Sequence, residues 1–525
     1  MNLTEITPQS LRPASVGAEG DRSASLTYFW LCLSFAIMIL VARIVQNRLE
    51  ASASLYCMVL FAICVGPALL GRRNPRHRII SMFMGCYFLI FGLDATVRAV
   101  TGEATLSLWG SNETTTGVGP DYALTSDVVV ILGSLALLAG YFFVHKLRGS
   151  KSSTFLGHEW RYGSVLKIGA LTWAIGFAVM IAYDMNVSPM LIPTHVLGLP
   201  LGIASNIRLL SPIGAMMLIY LVARGYRQRL VWTLLLTVIA AEFLFGFVSN
   251  SKEISFQIPV LLFVGLYYLY GRVSKKVLIM MLVVAVPYLL FFNAYRMIMG
   301  EQEYRTPGAA FEAFGKNIAA VKQRTEGQAG VVSGSLESLT QRVDGKVYVD
   351  IIVAGIDSGH VRRLGGTSIG WFFESFIPRF LWPEKPDISI GQLFNHEFNL
   401  SESRFTFVPT TQLGELYWNF GMLGAIVGML FIGLIFGQLS GALLDRSGMT
   451  MPRFMMLLMS TYYLVVRFES NIAVQYSTFV RLVILIWLVD RLLRFFGVSR
   501  SVRPASESPS AEAPTETTRM RSVPG

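Results

Sequence analysis

Apolar blocks of roughly 14–22 residues recur along the whole chain, separated by polar segments. A helix needs about 20 residues to cross the ~30 Å hydrocarbon core of a bilayer. This recurrence restricts the chain to one fold class: an all-α, polytopic membrane protein. About twelve spans are predicted: Leu26–Val45, Ser52–Leu70, Ile79–Val97, Val128–Val144, Val165–Tyr183, Leu209–Ala223, Val231–Phe247, Ile258–Tyr270, Val277–Ala294, Met422–Leu439, Met455–Val474 and Val480–Phe495. The sixth and eighth are short and are expected to extend into their flanks. Composition points the same way. Hydrophobic residues make up 53% and charged residues only 15%, against about 25% charged in soluble domains, which excludes an ordinary cytosolic enzyme.

The net charge of +11 lies largely in short loops rather than in a nucleic-acid-binding patch. One side collects Arg72, Arg73, Arg76 and Arg78; Lys146, Arg148, Lys151 and Arg161; Arg224, Arg227 and Arg229; Arg272, Lys275 and Lys276; and Arg446 and Arg453. Short loops on the other side carry only Arg48, Arg98 and Lys252. The positive-inside rule makes the first side cytoplasmic, with both termini on it. The polar first 25 residues precede a block long enough to span, so no cleaved signal peptide is predicted. Cys32, Cys57, Cys64 and Cys86 have neither metal-ligand spacing nor a disulfide role, and read as small buried residues.

The chain divides into a cytoplasmic segment (1–25), spans one to nine (26–294), a large external loop (295–421), spans ten to twelve (422–497) and a disordered tail (498–525) rich in Ser, Pro, Thr and Glu. The loop, of roughly 127 residues, is expected to be a folded cap. Helices are predicted at Ala309–Arg324 and Leu339–Ile352, and an interfacial helix around Gly370-Trp-Phe-Phe-Glu-Ser-Phe. No internal repeat of the kind many transporters carry is visible.

Charged residues within spans or at their outer ends are functional candidates: Arg43, Asp94 with Arg98, Arg208, Glu242, Lys252 with Glu253, Asn293 with Arg296, Arg467, Glu469 and Asn471, and Arg481. Each arginine alone can be explained by snorkelling to a headgroup. The set is explained better by a shared anionic ligand, a lipid phosphate or pyrophosphate, which suits arginine's planar fork. Walker A, His-Glu-x-x-His, Cys-x-x-Cys and Gly-x-Ser-x-Gly motifs are missing, and no two external histidines sit at ligand spacing. Neither a metal nor a cofactor is expected.

Four segments carry a resemblance. They are Ile377-Pro-Arg-Phe-Leu-Trp-Pro-Glu-Lys-Pro386 with Ile390-Gly-Gln-Leu-Phe394, Thr410-Thr-Gln-Leu-Gly-Glu-Leu-Tyr-Trp-Asn-Phe-Gly421, Asn250-Ser-Lys-Glu-Ile, and Asn293-Ala-Tyr-Arg296. Together they resemble the Wzy-type polymerases of bacterial oligosaccharide repeat units. An Arg-x10-Gly pattern of some members is not present in that form, since Arg404 precedes Gly414 by one residue too few, so residue roles do not transfer from those members. The resemblance implies transfer of a glycan from undecaprenyl pyrophosphate to an incoming lipid-linked repeat unit, at the periplasmic face of the inner membrane. It implies partners as well: the lipid-linked oligosaccharide, membrane lipids, and chain-length-regulator and flippase proteins, with no nucleic acid.

Such a reaction needs cations at the leaving group and a base or orienting group at the acceptor hydroxyl. The candidates are Glu415, Arg296 and Arg467 for catalysis, and Lys252, Arg342, Arg379, Lys385, Tyr417, Glu469 and Arg481 for substrate binding. Glu415 also reads as a helix N-terminal carboxylate. Tyr417, Trp382 and Trp418 read either as sugar-stacking or as interfacial aromatics. The rival readings are a transporter or flippase, with Glu242 as a proton-coupling carboxylate, and a related glycan ligase. The topology has a direct check: reporter fusions near Gly330 and Gly366 should be active only on the periplasmic side, and cytoplasmic activity at either overturns the orientation.

Overall fold

The computed structural model describes residues 19–46, 51–93, 95–96, 99, 120–148, 155–186, 195–225, 229–249, 251–270, 279, 283, 288, 345–377, 381–382, 385, 389–400, 407–444, 449–467 and 470–501. It is about 83% helical. The described strands form only two small antiparallel ribbons. In chain order come α1 (Glu19–Gln46), α2 (Ala51–Arg73), a 3₁₀ turn (Pro75–His77), α3 (Arg78–Phe91), α4 (Pro120–Arg148), β1 (His158–Trp160) and α5 (Tyr162–Asn186). The ribbon β2–β3 (His195–Val196, Leu199–Pro200) leads to α6 (Leu201–Ile207), α7 (Leu210–Ala223), α8 (Arg229–Val248) and α9 (Lys252–Tyr270). Then follow α10 (Gly345–Asp357), α11 (Thr367–Glu374), α12 (Ile390–Glu397) and α13 (Gln412–Leu443). The chain closes with α14 (Met451–Thr461), a π-turn (Tyr462–Val466), α15 (Ile472–Phe495) and β4 (Ser499–Ser501).

Eight of the described helices are long and apolar enough to cross a membrane. They cover the predicted spans two, four to eight, ten and twelve. Span six reaches back to Leu201 and span eight to Lys252, as their short apolar blocks required. Spans one and eleven correspond to shorter apolar helices, Thr27–Val41 and Met451–Val466. Nearly all of the ninth lies outside the described residues.

Three boundaries differ from expectation. The tenth helix starts at Gln412, ten residues before the apolar block, and breaks at Gly421 (φ 68°, ψ −155°), a conformation glycine reaches without a Cβ penalty. The last residues assigned to the external loop are therefore helix. The eleventh ends before Arg467, and the twelfth starts at Ile472 because the Asn471 side chain caps it, accepting the Val474 N–H at 2.8 Å. Arg481 thus lies in the third turn of α15 rather than near its start. The third correction is at the tail: Ser499–Ser501 pair antiparallel with His158–Trp160, so an ordered strand follows Val498.

The basic loops meet at one end of the bundle. Arg453 Nε donates to the Phe155 carbonyl (2.8 Å), Thr450 Oγ1 to Leu156 (2.6 Å) and the Tyr141 hydroxyl to Arg76 (3.0 Å). Arg224 reaches the Met449 carbonyl and Arg78 that of Tyr268. The described parts of four of the five basic loops therefore share one end, as alternating charge requires. Between the ends, α4 and α13 touch backbone to backbone. A Cβ on Gly433 would lie 2.0 Å from the Leu137 carbonyl oxygen, and one on Gly140 2.2 Å from that of Leu430. Small residues at such crossings are how membrane helices approach closely.

At the opposite end α10 docks on α4. Lys346 Nζ lies 3.0 Å from Asp127 and 2.9 Å from Asp350. Of the helix expected at Leu339–Ile352, the part from Gly345 is α10, and the segment expected to lie in the interface is helical over Thr367–Glu374 (α11); Ala309–Arg324 lies outside the described residues.

One group at the basic end links folding to pH. Glu159 accepts from the Tyr220 hydroxyl (2.9 Å) and the Met451 N–H (3.3 Å). Burial pushes its carboxyl up from 4.5 to about 7, against the opposing pull of Tyr220 and Arg224. Between those values the folded state holds a proton that the unfolded chain has lost, so stability from this group falls as pH rises from about 4.5 to about 7 and is flat above. Glu159→Gln should flatten this slope in thermal unfolding in detergent. A slope identical to wild type would remove Glu159 as its source.

Candidate functional site

The end opposite the basic loops gathers four charged side chains from four elements. Asp184 closes α5 and Arg208 sits in the turn between α6 and α7. Glu253 opens α9, and Arg467 follows the π-turn. Arg467 pairs with Glu253 at 3.1 Å and Arg208 with Asp184 at 3.2 Å. The guanidinium carbons stand 5.4 Å from the Tyr463 ring and 4.3 Å from the Tyr183 ring. The two pairs lie within electrostatic range of each other, for Asp184 feels the charge of Glu253, and Tyr463 feels Arg467, Glu253 and Arg208. The side chains are open to solvent: 25% and 47% exposed in the first pair, 37% and 20% in the second.

Local backbone explains the convergence. Leaving the π-turn, the Arg467 N–H bonds back five residues to the Tyr462 carbonyl (3.0 Å), which swings residue 467 off the helix line. The break at Arg208–Leu209 does the same between α6 and α7, where the Ser211 N–H returns to the Arg208 carbonyl (3.1 Å). Just beyond it, Glu242 on α8 accepts from the Ser211 hydroxyl (2.5 Å) and the Trp173 indole (3.1 Å). Its second oxygen is buried with no hydrogen-bond partner among the described residues.

Glu415 is fully buried in the first turn of α13. One oxygen accepts from the Ser368 hydroxyl (2.8 Å), the other from the Ile472 N–H (2.7 Å). Asn419, one turn on, donates to Ser368 Oγ (2.7 Å) and accepts from the Gly366 N–H (2.9 Å). The carboxylate therefore ties α13 to the entry of α11 and to the end of the turn that carries Arg467. Neither oxygen faces open space, and each is engaged by one of these hydrogen bonds.

Two aromatic candidates are corrected. The Tyr417 hydroxyl donates to Asp357 (2.9 Å), and Trp418 is enclosed by Phe394 and Phe398, its indole N–H on the Arg362 carbonyl (3.1 Å). Tyr417 is 3% and Trp418 0% exposed, so both rings are packed within the protein. Arg481 bonds to the Ser375 carbonyl and lies over Phe376, and Lys385 Nζ donates to the Ile377 carbonyl (3.1 Å). Both serve the α11 segment, away from the paired arginines. Arg296, Arg342, Arg379, Glu469 and the Lys252 side chain lie outside the described residues.

Sequence reasoning flagged Arg208, Glu253 and Arg467 but missed Asp184, although its place at the end of a span was a usable signal. It also missed Arg363, whose guanidinium lies over the Gly421 break, 3.0 Å from where a Cβ would sit. Among the described residues no three His, Cys, Asp or Glu side chains cluster to hold a metal ion.

Glu415→Ala would orphan the Ile472 N–H and weaken the Ser368–Asn419 pair, at about 1–3 kcal/mol per unsatisfied buried group. Its unfolding temperature in detergent should fall by several degrees. Glu415→Gln can still accept from Ile472 and donate to Ser368, and should lose less than half as much. Wild-type stability in the alanine variant would show that the tie carries no weight.

No family model matches the chain, and comparison with curated proteins and with solved structures gives no match either.

Proposed function

We propose that this chain polymerises lipid-linked oligosaccharide repeat units, as Wzy-type polymerases do, at the periplasmic face of a bacterial inner membrane. In this reading twelve helices span the bilayer, both termini are cytoplasmic, and 295–421 caps the outer side. The observation that carries it is the joined pair of ion pairs, Arg467–Glu253 and Arg208–Asp184, open at the end opposite the basic loops.

Exposed ion pairs contribute only about 0–1 kcal/mol, so a ligand with two phosphates can displace the carboxylates. The anion then receives charge-assisted, fork-shaped contacts. Glycan transfer breaks the bond from the anomeric carbon to the pyrophosphate oxygen, and the electron pair leaves with the pyrophosphate. A new bond forms from that carbon to the acceptor oxygen. Arg467 and Arg208 stabilise the developing negative charge. The acceptor's proton passes to Glu253, which pyrophosphate binding sets free and which is the most exposed of the four. Arg296, Arg342, Arg379 and Lys252 add cations from their sequence positions.

A specific feature favours a second reading. Glu242, with an unpartnered oxygen at membrane depth, is what a proton-coupled transporter of lipid-linked glycans would use. Gene deletion separates the two: single repeat units without the long-chain ladder favour polymerisation, whereas loss of all surface glycan favours transport.

With purified lipid-linked repeat units in nanodiscs, Arg467→Ala should slow chain extension about 10²–10³-fold while inserting normally. Lysine should rescue only in part, because a point charge replaces a bidentate fork. Full extension by the alanine variant would sink the assignment.

A further inference from the structure

On the far side of the Arg467–Ile472 turn, the first turns of α13 and α15 face each other across a set of buried neutral side chains. Gln412 Nε2 donates to Gln475 Oε1, which leaves Gln412 Oε1 as an acceptor and Gln475 Nε2 as a donor. Both remaining atoms are buried without a hydrogen-bond partner among the described residues, and so are Thr410 Oγ1 and the Tyr476 hydroxyl. Thr410, Gln412 and Gln475 are each 1% exposed and Tyr476 9%. Tyr476 stands close enough to Glu415 to feel its charge.

Four orphaned polar atoms within one small region are unusual, because buried polar groups are almost always paired. Backbone strain adds to the pattern. Thr411, between two of them, is a β-branched residue at φ 58°, held there by its own cap to the Gly414 N–H (3.1 Å). Residues of this kind hold such conformations where the surroundings over-determine them, and such places cluster at ligand sites.

We propose that this chamber is a subsite for an uncharged, hydroxyl-rich ring, a sugar of the lipid-linked substrate. The proposal rests on the polymerase reading above and names the residues that take the glycan part. Its chemistry is the argument. The free atoms comprise one acceptor, one donor and two hydroxyls that serve as either, which matches vicinal sugar hydroxyls. The guanidinium further along the same helix, Arg481, is committed to the Ser375 carbonyl, and the nearby Glu415 carboxyl is engaged by Ser368 and Ile472. Cations are found instead at Arg467, five residues before α15 begins, and at Arg208. A sugar pyrophosphate presents the same division, a neutral polyol joined to a dianion. The walls are closed in the structure. The proposal requires these walls to open for a ring.

The test uses full-length protein in nanodiscs, with thermal unfolding and chain extension as readouts. The soluble probes are glucose, galactose and N-acetylglucosamine at millimolar levels, and inorganic pyrophosphate. At least one sugar should raise the wild-type unfolding temperature. The double variant Gln412→Leu/Gln475→Leu should unfold at or above the wild-type temperature, since it removes unpaired polar atoms. It should lose the sugar shift and keep the pyrophosphate shift. The KM for lipid-linked repeat units should rise roughly tenfold or more. A single variant, Tyr476→Phe, should reduce the sugar shift with no change in apo stability.

Absence of any sugar shift in wild type, or a shift that survives in the double variant, overturns the subsite. So does a double variant that unfolds several degrees early with unchanged KM, the result expected if the chamber holds only structural water. Failure of the polymerase reading looks different: the sugar shift and its loss in the variant persist, but no condition yields chain extension.

Discussion

Inside a bilayer no water takes up a free N–H or carbonyl, so irregular backbone survives only where protein covers it or where it lines a polar site. The described helices obey this at the end opposite the basic loops. There the chain turns at Arg208–Leu209, widens into a π-turn at Tyr462–Val466 and breaks at Gly421. Each freed group is recovered locally. Leu364 and Gly365 N–H groups bond to the carbonyls of Trp418 and Asn419 beside the Gly421 break, at 3.1 and 3.3 Å. The Arg467 N–H takes the Tyr462 carbonyl and the Arg208 N–H that of Ala204. These departures from straight helix let arginines on separate elements converge rather than point outward into lipid headgroups.

Two buried carboxylates hold this arrangement, and they do it in parallel ways. Glu242 grips Ser211, three residues after Arg208, and Glu415 grips Ile472, five residues after Arg467. In each case a buried acid on a helix fixes the element just beyond an arginine-bearing turn. Burying a carboxylate is expensive unless hydrogen bonds compensate. The compensation here is directed at the points where a shift would misplace a guanidinium. On the proposed reading, a displacement of about 1 Å at such a point can change a rate by about a hundredfold, which would give a functional reason for the expense.

The helical class with many membrane-length apolar helices, the gathering of basic loops at one end and the helix at Gly345–Asp357 were readable in the sequence. They depend on composition and period alone. Helix ends were less readable. Asn471 as a cap and Gly421 as a break act through one residue each and are invisible to an average over a span. Site residues divided by the same rule. Arg208, Glu253 and Arg467 announced themselves as charges near span ends. Whether Glu415 meets substrate or backbone depended on Ser368 and Ile472, 47 and 57 residues away. Tyr417 and Trp418 looked interfacial because aromatics concentrate there, whereas their partners Asp357, Phe394 and Phe398 come from the cap and bury them.

On the proposed reading, the carboxylates beside Arg467 and Arg208 raise a last physical question: why a site for an anion should hold negative charge. An unpaired arginine partly withdrawn from water is strongly destabilising, by about 3–5 kcal/mol where burial is complete. It would also swing freely, and ordering a long side chain at the moment of binding costs roughly 0.5–1.5 kcal/mol. Glu253 and Asp184 remove both penalties by keeping each guanidinium neutralised and aimed. Because the pairs are exposed to solvent, little is lost when a doubly charged ligand replaces them. A fully buried pair would resist that exchange, and an unpaired arginine would not be aimed. The intermediate exposure observed, between 20% and 47%, is the regime in which an arginine is both held and available.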